Sequence, residues 1–135
     1  MYKVSIYLLG DELDPDSVTA LLGLKPDEFH RKGKRWTTST NREVIERTGI
    51  WVVSAKTTSN DLNRVIGDVA SKIDANAPFL MQLPGVEEAF LDVFIAIDAD
   101  TDGGGTCEFE LTPQDVAELT RLGLPVRFTV TVVKE

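Results

Sequence analysis

The feature that most restricts the fold is the run of residues 89–97, which is apolar on both faces apart from Asp92. Such a run reads as a central strand with neighbours at its edges and cover over most of its surface, so the rest of the chain has to supply strands to flank it and helices to cover it. Residues 2–9 answer the first need. Val4, Ile6 and Leu8 alternate with Lys3, Ser5 and Tyr7, the period of a half-buried strand that ends at Gly10. Residues 50–55 are β-branched, aromatic and apolar behind Gly49, and Val126, Phe128, Val130 and Val132 alternate with Arg127, Thr129 and Thr131 in a final strand. Cys107, Phe109 and Leu111 alternate with Thr106, Glu108 and Glu110, which predicts a hairpin partner for the central strand and turns Cys107 inward.

The covering helices carry end signals. Asp14 is placed to cap a first helix with Pro15 at its first position and Val18, Leu21 and Leu22 on one face. Asn60 or Asp61 caps the longest helix, whose Leu62, Val65, Ile66, Val69 and Ile73 recur at the helical period. Pro78 interrupts it, and Phe79, Leu80, Met81 and Leu83 supply one more apolar turn before Pro84 and Gly85. A third helix opens at Thr112 and Pro113, with Asp115 in its first turn. Between the first helix and Gly49, residues 29–36 read as a ragged basic strand and 37–48 as a loop. The predicted class is therefore α+β: one domain over residues 1–135, a mainly antiparallel sheet of five to six strands, two to three helices, and the order β-α-β-β-α-β-β-α-β. Residues 13–18 and 22–24 echo residues 111–116 and 122–124, which fits either two duplicated, ferredoxin-like halves or the same capping chemistry used twice.

No stretch approaches the 18 or so apolar residues of a membrane span, and residues 1–9 alternate where a signal peptide would be continuously apolar, so a cytoplasmic chain without a membrane role is expected. Cys107, the single cysteine, can form no internal disulfide and is too few for a thiolate metal site. The net charge of −8 is unevenly spread. Residues 25–47 hold seven bases and four acids, a local +3, and residues 87–118 hold ten acids and no base. This balance repels nucleic acid over most of the surface and favours a basic partner.

Three features bear on chemistry. Asp98, Asp100 and Asp102 before three glycines resemble the first half of a calcium loop, but the twelfth position is Phe109 where a bidentate glutamate is needed, so the bland reading is a solvated turn. His30 lacks a second histidine or a neighbouring nucleophile, and no set of catalytic residues is selected by spacing; no cofactor or resident metal is implied. The best contact site is the segment containing Phe29, His30, Arg31, Lys32, Gly33, Lys34, Arg35 and Trp36, where cations sit among aromatics.

The Gly10 to Pro15 segment, Leu21 to Pro26, Arg31-Lys32-Gly33, Thr48-Gly49-Ile50-Trp51, Phe109 to Pro113 and Leu122-Gly123-Leu124 together resemble the bacterial family known as domain of unknown function 4279. The family pattern emphasises Lys32, Gly33 and Trp51, and it brings no established activity. Two functions are left open. One is a small non-enzymatic binding module, of the immunity or antitoxin kind, in which the acidic face from Glu87 to Glu118 covers a basic protein partner. The other is a small-ligand or enzymatic site at a rim joining Lys32, Trp36 and Trp51. A homodimer is a further expectation should the helices leave one sheet face bare.

Overall fold

The computed structural model describes residues 1–100 and 105–133. Its elements in chain order are β1 (Tyr2–Gly10), α1 (Pro15–Leu22), β2 (Glu28–His30), β3 (Arg35–Thr37), β4 (Glu43–Ile45), β5 (Gly49–Thr57), α2 (Leu62–Lys72), a 3₁₀ turn at Leu80–Gln82, β6 (Glu88–Asp98), α3 (Pro113–Leu122) and β7 (Val126–Val133). The expected α+β class holds. Five strands form one sheet in the order β2-β5-β1-β6-β7, antiparallel except for the parallel pair β6 and β7, and β3 and β4 form a separate two-stranded ribbon.

The alternation in β1 decides which way the sheet faces. Register pairs Ile6 with Val53 and Leu91, and Leu8 with Trp51 and Ala89, so these residues share one face. That face is buried with Val65, Ile66 and Val69 of α2, Val18 of α1, and Leu119 and Leu122 of α3 in a single core cluster. Trp51 is the largest fully buried side chain, at 0% exposure. Burying an indole of this size is worth about 4–6 kcal/mol of transfer free energy. Its ring N–H is not wasted, donating to the Thr19 hydroxyl of α1 at 3.1 Å.

The helix ends follow the capping residues read from the sequence. Asp14 accepts from the Asp16 amide, Asp61 from the Arg64 amide, and Thr112 and Asp115 form a reciprocal capping box. Asp115 is buried and also takes a hydrogen bond from Asn63 of α2, so this cap ties α3 to α2. Among the described residues no helix is long and apolar enough to cross a membrane.

At the end of β1 the backbone closes on itself. An ideal Cβ on Gly10 would lie 1.9 Å from the Gly85 carbonyl oxygen, one on Gly49 2.7 Å from the Gly10 oxygen, and one on Gly85 2.6 Å from the Glu12 oxygen. Only glycine permits three chain segments to meet this closely, and Gly85 also needs it for its φ of 81°.

Several expectations are corrected. Residues 106–111 form no strand; Cys107 and Leu111 pack on the core without entering a ladder, and the second neighbour of β6 is β7, reached through α3. Residues 29–36 are not one strand but the end of β2, a turn with Gly33 at φ 86°, and the start of β3. The expected loop at 37–48 contains β4. The echo between the halves is also imperfect in space. β1 and β2, linked by α1, have β5 between them, whereas β6 and β7, linked by α3, are direct neighbours.

Candidate functional site

The rim formed by β2, the following turn and the β3–β4 ribbon holds His30, Arg31, Lys32, Arg35 and Trp36, five of the six residues expected to make contact; Trp51 is the sixth. Glu46, just past β4, gathers them. Its amide donates to the Lys34 carbonyl at 2.9 Å and its carbonyl accepts from Gly33 at 2.7 Å, so the ribbon grips the turn after β2. Its carboxylate then accepts the Trp36 ring N–H at 2.7 Å and faces His30 Nε2 at 3.3 Å. His30 Nδ1, on the other side of the ring, is buried with no hydrogen-bond partner among the described residues. Trp36 keeps 44% of its surface exposed although its ring nitrogen is anchored.

The cations of the rim are matched to the chain's own acids. Arg31 reaches Asp14 at 2.6 Å and Asp16 at 3.4 Å, both at the start of α1, and Lys32 reaches Asp11 at 3.1 Å. Arg35 pairs with Glu43 across the ribbon at 3.5 Å. These pairs are exposed and each is worth little in stability, but they do cancel charge locally. Asp14 records it. Slight desolvation pulls its carboxyl upward, yet hydrogen bonds from Ser17, the Arg31 guanidinium and the amides of residues 16 and 17 outweigh this and hold it below the usual aspartate range.

Trp51, the sixth expected residue, lies behind the rim, paired in register with Phe29 of β2 but fully buried. It faces the helices from the core side of β5 and cannot touch a partner, so the rim joining Lys32, Trp36 and Trp51 does not exist. A shallow depression of about 470 Å³ does lie against the rim, lined by Phe29, His30 and Lys32 together with Pro15 of α1. Phe29, part of the expected contact segment, and Ile45, which the sequence reading does not single out, stand more than half exposed near Trp36 in sequence. Glu46 was also missed, because a three-residue strand is too short to show a period.

The acidic stretch is not one face. Glu88 pairs with Arg127, Asp92 accepts from the Thr129 hydroxyl at 2.8 Å, Asp115 is buried in its cap, and Glu118 pairs with Arg121. Asp98 ends β6 and Asp102 lies outside the described residues, so the turn read as a solvated tip, with an ion loop as its alternative, lies partly outside the described residues; no cluster of three metal-ligating side chains occurs among the described residues. The sheet face turned away from the helices is partly exposed. On it Tyr7 stacks on Phe90 with ring centres 4.9 Å apart, and the Arg127 guanidinium lies 3.7 Å over the same ring. Burial, and then the nearby Asp92 charge, raise the Tyr7 hydroxyl above its ordinary value against a lowering hydrogen bond with Ser5.

Helices layered on one face of a five-stranded mixed sheet, with a short ribbon projecting at one edge, define an α+β module. The family whose pattern matches residues 1–133 is domain of unknown function DUF4279, and the chain belongs to it. No curated protein matches the chain.

Proposed function

We propose that this chain is a small non-enzymatic protein-binding module of the bacterial cytoplasm whose contact surface is the rim carried by β2, β3 and β4. The observation that carries the reading is Trp36, held by Glu46 at its ring nitrogen while nearly half its surface stays open. An indole fixed in this way loses little freedom on binding, and tryptophan and arginine are the residues most often found at the energetic centre of protein interfaces. Phe29 and Ile45 supply further exposed apolar surface, and the paired Arg31, Lys32 and Arg35 form the polar surround. The net charge of −8 speeds a salt-sensitive encounter with a basic partner, as an immunity or antitoxin role would use, and at the rim itself Asp11, Asp14, Asp16 and Glu43 offset the cations so that they do not repel it. The reduced state of a lone Cys107 suits the cytoplasm.

The reading of a small-ligand or enzymatic site at the same rim is weaker, because the buried Trp51 is removed from it and the depression beside Lys32 is shallow and open. The test compares native-host proteins retained by the wild-type chain and by Trp36→Ala at low and high salt, with circular dichroism confirming the variant's fold. A partner retained by wild type, released by salt and lost with Trp36→Ala is expected. Equal retention by both, or none by either, refutes the proposal.

A further inference from the structure

β7 is an edge strand, and its parity is set by the bonds it makes to β6. Leu91 donates to the Pro125 carbonyl at 2.9 Å and Ala99 to the Val133 carbonyl at 3.0 Å, so the odd-numbered residues of β7 turn their backbone groups inward. The N–H and C=O groups of Val126, Phe128, Val130 and Val132 therefore point out of the sheet edge, and no backbone partner meets them among the described residues. Native edges are usually blunted by lysine, proline or an inward charge. This one carries none of these at the outward-pointing positions, and the one charge in β7, Arg127, is engaged by Glu88 and Phe90 of its own chain. The same residues expose their side chains: Phe128 by 44%, Val130 by 52% and Val132 by 49%. They stand in register with Val93, Ile95 and Ile97 on the helix side of the sheet, and Phe109 stacks on Phe128 at 5.5 Å to extend the stripe.

We propose that β7 pairs antiparallel with β7 of a second copy about a two-fold axis through Val130, joining the two sheets into one. The outward parity and the apolar pattern select this register together. Centring on Val130 makes Val130 face itself and Phe128 face Val132 as hydrogen-bonded pairs, so every outward backbone group from Phe128 to Val132 finds a partner and the apolar stripes merge. On the other face Thr129 meets Thr131 and Arg127 meets Val133, so no like charges oppose each other even though each copy carries −8. In a chain this acidic, β7 holds no acid at all, which leaves it one of the few surfaces two copies can bring together. The area covered is on the order of 1,000 Å² summed over both copies, at the small end of specific interfaces, which makes the dimer reversible at micromolar concentration.

Sedimentation of the full chain from low micromolar to millimolar concentration should show a monomer–dimer equilibrium. Val130→Lys places two ammonium groups together at the axis and should weaken the dimer by an order of magnitude or more, with unchanged circular dichroism. The register is read by cross-linking in a Cys107→Ser background. Val130→Cys brings two sulfurs within disulfide reach, because paired Cα atoms lie about 5.5 Å apart in such a site. Val132→Cys separates them by about 14 Å along the strand. Rapid oxidation of the first variant and not of the second is expected. A monomer at all concentrations, as a binder of some other protein's strand would give, overturns the proposal, as does a dimer indifferent to Val130→Lys or cross-linked equally at both positions.

Discussion

Replacing Gly10 by alanine puts a methyl group where the Gly85 carbonyl oxygen already is. The built Cβ lies 1.9 Å from that oxygen, and ordinary contact begins at 3.4 Å, so one segment must retreat by 3.4 − 1.9 = 1.5 Å. Gly85 cannot retreat freely, because its own backbone is pressed against Glu12 and Leu13. Nor can the end of β1, since the Leu9 carbonyl is held by the Glu87 amide at 2.8 Å. Overpacking a closed site costs about 1–3 kcal/mol, and loss of the Leu9 to Glu87 bond adds about 1 kcal/mol. The total of about 2–4 kcal/mol corresponds to a fall in Tm of roughly 10 °C at this chain length. Gly67, inside α2 with open space around it, is the control: alanine there should raise stability by about 0.5–1 kcal/mol. Urea unfolding followed by Trp51 fluorescence measures both, with unchanged m-values showing that the denatured state is not the source. A Gly10→Ala variant within about 0.5 kcal/mol of wild type would refute the close approach of these three segments.

The two tryptophans should separate cleanly by acrylamide quenching: Trp51→Phe leaves an emitter that is readily quenched, Trp36→Phe leaves one that is shielded, and the reverse order would contradict the burial of Trp51. Carboxyl titration by NMR should place Asp14 below the usual aspartate range, and Arg31→Gln should move it upward. Because its folded value is the lower one, the stability Asp14 contributes is complete above its unfolded pKa and is lost as pH falls through the folded one; an Asp14 signal indifferent to Arg31→Gln would disprove the pairing.

Strands whose alternation had a face to bury were legible in the sequence: Val4, Ile6 and Leu8 all lie in the core. Helix starts were legible for the same kind of reason, since Asp14, Asp61 and Thr112 act through neighbours three residues away at most. What failed was long-range. The alternation of Cys107, Phe109 and Leu111 is real, but two of these pack on the core and the third stacks on Phe128 without any strand partner, and a period of two does not reveal whether a ladder exists. The cations of the rim were visible, and pairing with the chain's own acids was one reading of them, but which acids was not legible, because Arg31 and Lys32 find theirs in residues 11–16, across the turn of another element. Trp51 illustrates the same limit. A tryptophan after a glycine near a basic segment looks like a contact residue until the register with Leu8 turns it inward.

The place of β1 in the sheet has a consequence for synthesis. β1 leaves the ribosome before either of the strands that flank it, β5 and β6, pairing Tyr2 with Thr57 on one side and Ile95 on the other. Its ladder with β5 therefore cannot begin until residue 49 has emerged or be complete until residue 57 has, and its ladder with β6 waits for residues 88 to 95. At roughly 5–20 residues per second, that exposes an apolar strand for several seconds before the sheet can close. The non-local pairing also makes refolding slow for a chain of this size, in the millisecond-to-second range of sheet-dominated domains. A chaperone that holds nascent apolar segments would have its natural target in residues 2–9, the part of the chain that ends up most deeply enclosed.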